Sequence, residues 1–429
     1  MIDRLFGVSA SGSTLRTEIV AGVTTYLTMA YIAFVNPLIL ADAGMEQGAV
    51  FVATCLAAAL ATLLMALFTN YPLALAPGMG INAYFAYGVV KGLHYSWEVA
   101  LGAVFLSGIL FLILSLTRVR AWLVDAIPRS QKMAISAGIG LFLAIIALKD
   151  AGIVVANPET LVTLGNLKAP APLLASAGFV AIVVLERRAV PGAIMIAVLL
   201  TAASGIVLHV SPFFGIASAP PSLAPTFLAL DLRAAFDAGL ATIVFVFLFV
   251  DLFDNTGTLI GVAHRAGLLD PDGRLPRADR AFAAAALAAM GGALLGTSTV
   301  TSYIESAAGV KAGGRTGLTA VTVALLFLLT LFFAPLARSV PAYATAPALL
   351  FVACLMASGL AALDWEDPTE YAPAVVTALA MPLTFSIANG IALGFIAYAA
   401  VKLLAGRIAE AGPSMIALAL LFIVKYAFF

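Results

Sequence analysis

Apolar stretches long enough to cross a bilayer follow one another along almost the whole chain, broken only by short charged or Gly/Pro-rich segments. They fall at about 17–41, 48–69, 73–90, 98–117, 130–149, 170–186, 190–209, 234–262, 278–295, 298–312, 316–336, 342–362, 371–403 and 413–428, fourteen in all. Roughly 20 apolar residues span the hydrocarbon core as a helix, and only helices or closed barrels satisfy their backbone in lipid. These runs are continuous, rich in Ala and Leu, and too long for barrel strands. The expected fold is an all-α polytopic membrane bundle, and the 429 residues leave no room for an extramembrane domain.

Composition agrees: 63% of residues are hydrophobic and 10% charged, with 22 Lys and Arg against 22 Asp and Glu. A balanced charge gives no reason to expect nucleic acid as a partner. Cys55 and Cys354 lie inside apolar runs, and His94, His209 and His264 are scattered, so neither a disulfide framework nor a metal site is expected. No nucleophile, metal or phosphate-binding motif supports an enzyme, and no cofactor is called for. The N-terminal residues carry Asp3, Arg4, Arg16 and Glu18 before an uninterrupted run and lack a signal-peptide cleavage pattern, so the first span is expected to be retained.

The third and tenth runs differ from the rest. Tyr71–Gly80 contains Pro72, Pro77, Gly78 and Gly80, and Gly296–Tyr303 is rich in hydroxyl and β-branched residues. Each is expected to be extended first and helical second. Irregular backbone at membrane depth is tolerated where it is buried in protein or lines a cavity, and paired discontinuous spans mark a transporter's binding site. Their offset of seven recurs elsewhere. Ile127–Phe142, opening the fifth run, resembles Val340–Phe351, opening the twelfth, and Gly88–Gly92 resembles Gly309–Gly313. An odd number of spans per half inverts the second half, which predicts a 7+7 inverted repeat.

Orientation follows the short loops. Arg4 and Arg16, Arg118 to Lys132, Arg187 and Arg188, and Arg265 to Arg280 would all be cytoplasmic with the N-terminus, whereas the segment 209–231 contains no Lys or Arg. Lys402 and Arg407 disagree, being external in a strict fourteen-span reading. Pro382, Ser386 and Asn389 inside the 371–403 run point to a break or a re-entrant segment there.

Acidic residues at bilayer depth cost about 2.5–3.5 kcal/mol on insertion scales, so those present call for a reason. Asp251 and Asp254 sit three apart on one face of the eighth run, Glu305 lies where the tenth should turn helical, and Asn82 occupies the matching transition of the third. Two half-helices meeting at the midplane aim free N–H groups into one cavity, and carboxylates there accept what those donors cannot. Asp251, Asp254 and Glu305 are also candidate proton carriers. A bundle anchor for either aspartate and a helix cap for Asn82 are the bland alternatives. Tyr84, Phe85 and Tyr303 could stack on an aromatic ligand or simply pack.

In these stretches the chain resembles the nucleobase:cation symporter 2 family, in its AzgA-like branch of bacterial adenine, guanine and hypoxanthine permeases. The likeness is carried by Ala21–Ile32, Ala76–Phe85, Val250–Leu259, Gly296–Ser306 and Met381–Gly390, in order along the whole chain. It implies a core domain of spans 1–4 (1–117) and 8–11 (233–336), a gate domain of spans 5–7 (118–232) and 12–14 (337–429), antiparallel strands in segments 3 and 10, a homodimer, and residence in the bacterial inner membrane. It implies that Glu305 holds a purine, that Asn82 lies across the site, and that Asp251 and Asp254 contribute substrate contact and proton coupling. Uracil and xanthine permeases carry Glu, His and Gly where this chain reads Asp254 to Gly257. That departure favours the purine branch and leaves open which aspartate touches substrate. The expected activity is proton-coupled uptake of purine nucleobases by alternating access, with sodium coupling or an anion carrier of the same architecture as alternatives.

Overall fold

In a bilayer every unpaired peptide group must find a partner within the protein, and two segments that cannot be helical at their start solve this by pairing with each other. A computed structural model describes residues 2–117, 127–235, 241–270 and 275–428. Strand β1 (Leu75–Pro77) runs antiparallel to a strand far along the chain, Val300–Ser302, with Leu75 opposite Ser302, Ala76 opposite Thr301 and Pro77 opposite Val300. The pairing extends outward through Gly78 N–H to Thr299 O and Tyr303 N–H to Ala74 O, both at 2.9 Å. Pro72 and Pro77 lack the N–H a helix would need, and the β-branched Thr299, Val300 and Thr301 favour extension. Both strands then turn helical, as Met79–Ala83 continued by a π-helix over Tyr84–Gly92, and as Ser306–Lys311.

Elsewhere the chain is helical. Among the described residues ten helices are long and apolar enough to cross a membrane, from Leu15–Ala41 to Ile387–Leu404, and the protein is a multi-pass membrane protein. A second strand pair, β2 (Val154–Asn157) with β3 (Leu161–Leu164), forms an exposed hairpin, which makes Val300–Ser302 β4. Of the charged loop residues, Arg118, Arg120 and Arg274 lie outside the described residues, as do residues 236–240 of the eighth run.

The chain forms two compact units, Met1–Leu116 with Asn166–Ala348, and Thr117–Gly165 with Leu349–Phe429. The first unit contains both strands of the β1–β4 pair. Its packing relies on small residues. A methyl group on Gly309 would meet the Thr25 hydroxyl and lie 2.6 Å from the Ala21 carbonyl, so the Ser306–Lys311 helix touches the first span backbone to backbone. Glu18, fully buried, accepts from Arg315 N–H (3.0 Å), Thr316 N–H (3.2 Å) and Thr319 Oγ1 (2.6 Å), closing the start of the Gly317–Thr330 helix.

In the second unit the 371–403 run is two helices, Pro368–Leu383 and Ile387–Leu404, joined at a turn where Phe385 has φ 50°. Ser386 caps the second helix by accepting from Asn389 N–H at 3.2 Å. The two helices run back along each other, with Gly394 against the Thr377 side chain and Gly390 against Met381. This brings Lys402 beside Thr369 and Glu370 (2.9 and 2.7 Å) and Arg407 beside Asp367 (2.7 Å). The span-count conflict is thereby corrected: a run that turns back returns Lys402 and Arg407 to the side on which it began. Lys402 has no exposure and also pairs with Glu410 at 2.8 Å, while Ser130 and Tyr398 donate to Glu370 at 2.5 and 3.0 Å. The Asp367 carboxyl, bonded by Thr369 and Arg407, is held down at about 2.

Two outcomes follow from this packing. Gly309→Ala is expected to destabilise the first unit by about 1–3 kcal/mol, because the backbone contact cannot give way, read as a lower thermal midpoint of the purified protein in detergent. Lys402→Met leaves Glu370 without its cation, while Glu410 keeps Arg407 at 2.7 Å, and is expected to cost about 3 kcal/mol, the lower end for a broken buried pair since Glu370 is 23% exposed, by the same readout.

Candidate functional site

The hydroxyl-rich strand β4 and its approach distribute their side chains to several elements of the first unit. Thr297 Oγ1 accepts from the buried Asn36 Nδ2 at 2.9 Å, and Asn36 also donates to Thr54 at 2.7 Å. Ser298 Oγ donates to Asn82 Oδ1, and the Thr301 hydroxyl bonds to Asp254. Ser302 donates both its N–H (2.9 Å) and its Oγ (2.8 Å) to Asn255 Oδ1. The segment is therefore pinned to the first, third and eighth spans by its own side chains, and its main chain is left for β1.

Glu305 stands at the end of this strand, at the N-cap position of Ser306–Lys311 but with no side-chain capping bond. Its carboxylate instead accepts the Tyr31 hydroxyl at 2.8 Å. Tyr31 lies where the first span breaks between Leu15–Met29 and Ile32–Ala41. Glu305 and Asp254 are partly exposed, while Asp251 is 1% exposed. Asp254 is an electrostatic neighbour of Asp251, of Tyr303 and of Glu305, so the three acids form one group.

The two aspartates have different surroundings. Asp251 Oδ1 accepts Asn255 Nδ2 at 2.7 Å, and its Oδ2 has no hydrogen-bond partner among the described residues. Asn82 is fully buried, with Oδ1 engaged by Ser298 and Nδ2 without a hydrogen-bond partner among the described residues. An unpartnered buried amide or carboxyl oxygen costs about 1–3 kcal/mol, so such groups call for a reason.

The aromatic residues fall into two kinds. The Tyr84 ring meets Phe247 edge to face at 5.0 Å, and its buried hydroxyl has no hydrogen-bond partner among the described residues. A methyl on Gly88 would sit 2.7 Å from the Tyr84 ring, so this glycine makes the ring's place in the π-helix. Phe85 is fully buried with its ring 6.5 Å from Phe247, and Tyr303 commits its hydroxyl to Pro77 O at 2.6 Å. Phe85 thus packs in the interior, and Tyr303 ties the tenth segment to the end of β1.

Sequence reasoning missed Tyr31 and Asn255, although both lie within the matched motifs. Nothing local marks Tyr31 as the partner of a carboxylate 274 positions away. Asn255 had one available signal: it follows Asp254 directly and sits four residues after Asp251, within side-chain reach on a helix. Among the described residues no three His, Cys, Asp or Glu side chains are grouped to hold a metal ion.

Comparison with known proteins fits this architecture. The family described as the permease family matches residues 16–393. The chain is 49% identical over 428 residues to the adenine permease AdeP of Escherichia coli strain K12, covering 100% of this chain and 96% of that one. It is 44% identical over 429 residues to the guanine/hypoxanthine permease PbuG of Bacillus subtilis strain 168, covering 97% of each. Among solved structures, the transmembrane domain of the cyanobacterial bicarbonate transporter BicA superposes with a TM-score of 0.64 at 17% identity, covering 94% of this chain and 97% of that one, a likeness of fold alone. The chain belongs to the permease family, in the AzgA-like branch whose motifs it carries from the first span to the last.

Proposed function

We propose that this protein takes purine nucleobases up across the bacterial inner membrane by proton symport with alternating access. The observation that carries this reading is the convergence of Glu305, Asp254 and the free amide of Asn82 beside a strand pair buried in one unit. The permease relatives named for adenine and for guanine and hypoxanthine support the substrate class. Purines are planar and carry adjacent N–H donors and ring acceptors. A carboxylate accepts from such donors and an amide N–H donates to a ring nitrogen or carbonyl. Tyr84 offers an aromatic edge with a free hydroxyl, and Phe85 and Tyr303 back it.

Three carboxylates argue against an anion as cargo, since each would repel it. The same acids, Asp251, Asp254 and Glu305, supply the proton carrier. Alternating access fits a 7+7 inverted repeat in which the second half ends with Pro368–Leu383 and Ile387–Leu404 as its sixth and seventh segments, with Ile408–Phe428 following the repeat. In this reading spans 1–4 and 8–11 form the core that carries the site, the remaining spans form the gate, and two copies assemble as a homodimer.

Uptake of labelled hypoxanthine, guanine and adenine in cells lacking their own permeases tests the reading. Unlabelled purines are expected to compete and uracil not to, because a site built for one hydrogen-bond pattern leaves its own groups unpaired against another. A protonophore is expected to abolish accumulation and sodium replacement to leave it intact; the reverse pattern would establish sodium coupling. Glu305→Gln replaces an acceptor-only group with one that also donates, and purine affinity is expected to fall about 10- to 100-fold, the worth of one charged hydrogen bond. Unchanged affinity would remove Glu305 from the site.

A further inference from the structure

We propose that the two span-8 aspartates divide the work: Asp254 faces the substrate, and Asp251 is the proton site, coupled through Asn255 to the strand that carries Glu305. This rests on the purine-uptake reading and assigns within it a role that the sequence leaves open. The separation begins with exposure. Asp254 is partly exposed beside Glu305, whereas Asp251 is 1% exposed, one turn earlier on the same helix. Asp254 and Glu305 therefore present surface that a purine can touch, and Asp251 presents almost none.

The chemistry of Asp251 is that of a site waiting for a small cation. One oxygen is bonded to the Asn255 amide and the other has no hydrogen-bond partner among the described residues. The closely packed elements bring little charge to offset it. Trp97–Ser115 carries only Glu98, in its first turn; Ser306–Lys311 carries Lys311 at its far end; and Met79–Ala83 and β4 carry no ionisable group. Its electrostatic neighbour on its own helix is Asp254, another acid, which in turn neighbours Glu305 and Tyr303. A buried carboxylate with no counter-charge is strongly disfavoured, so Oδ2 takes up a cation. A proton needs one oxygen. Sodium needs a shell of several, and Asn255 Oδ1 cannot join one because Ser302 N–H and Oγ already occupy it.

The same asparagine supplies the link to the substrate. Asn255 Nδ2 donates to the backbone oxygen (3.0 Å) and the carboxylate (2.7 Å) of Asp251, while its Oδ1 holds Ser302, three residues before Glu305 and opposite Leu75 in the strand pair. A hydrogen bond to an ionised carboxylate is about twice as strong as one to a neutral carboxyl. Forming the Oδ2–H bond therefore loosens the grip of Asp251 on Asn255, and through Ser302 this reaches the segment that presents Glu305 to the purine. Releasing the proton to the cytoplasmic side restores the tight state.

Reconstituted full-length protein in lipid vesicles separates coupling from binding. Asp251→Asn is nearly isosteric and keeps an acceptor for Asn255. It is expected to lose pH-gradient-driven hypoxanthine accumulation by at least about tenfold, while equilibrium exchange of hypoxanthine and binding of it in detergent stay within about threefold of wild type. Asp254→Asn is expected to lose binding and exchange together. Asn255→Ala, with Asp251 intact, is expected to retain exchange and to accumulate less purine per unit pH gradient. Asp251→Asn protein that melts as wild type does but no longer binds purine would overturn the division, as would Asp251→Asn protein that still concentrates it. Accumulation driven by a sodium gradient and abolished by Asp251→Asn would overturn the proton assignment. Wild-type protein that binds and exchanges no purine would overturn the underlying reading and this role with it.

Discussion

The β1–β4 pair is the constraint on which the site depends. Six residues, paired across more than half the chain, allow two spans to be non-helical at depth without leaving peptide groups unsatisfied. Because the pair is so short, backbone bonds alone would hold it weakly. The side chains around it do the rest: Ser298, Thr301 and Ser302 each engage a different residue of another span, and Thr62 of the second span bonds both the N–H (2.9 Å) and the O (3.0 Å) of Leu75. Once the strands are fixed, Asn82 and Glu305 follow at set distances along the chain, and the Ala241–Arg265 helix, tied to β4 by Asn255, brings both aspartates to the same place.

Much of this could be read along the chain, and the reason is local chemistry. Prolines at 72 and 77 and the hydroxyl-rich, β-branched run before Tyr303 exclude helix within a few residues, so extended halves were visible in both segments. Acids inside apolar runs stand out because their insertion is costly. What resisted reading is long-range pairing. Tyr31 carries no mark of Glu305, and Lys402 looked like a misplaced loop charge until the chain was seen to turn back at Phe385 and bury it between Glu370 and Glu410. Pro382 and Ser386 signalled an interruption, but a kink, a re-entrant segment and a full reversal share that signature. Only packing of Gly390 and Gly394 against the preceding helix separates them.

The Lys402 cluster and the Glu305 group show two opposite uses of buried charge. Around Lys402 the acids Glu370 and Glu410 meet a cation, and hydroxyls from Ser130, Thr369 and Tyr398 fill remaining positions. Such a network is rigid because every member is engaged. Around Glu305 there are three acids and no basic side chain among their hydrogen-bond partners, with Asn82 Nδ2, Tyr84 Oη and Asp251 Oδ2 left open. An unsatisfied group of this kind lowers stability, and in the proposed reading the purine completes Asn82 and Tyr84 while a proton completes Asp251.

That asymmetry also bears on how one architecture serves different cargoes. The BicA transmembrane domain shares this fold at 17% identity, so the fold by itself says nothing of what is carried. Selectivity must come from the side chains that the scaffold presents. In the proposed reading Asp254 and Glu305, the latter accepting the Tyr31 hydroxyl, give the junction an acceptor character rather than a positive one, since the first N–H groups of Ser306–Lys311 are already bonded to the backbone oxygens of Tyr303, Ile304 and Glu305. A neutral planar heterocycle is proposed to match such a surface, and the same acids to carry the proton that concentrative uptake of a neutral cargo requires.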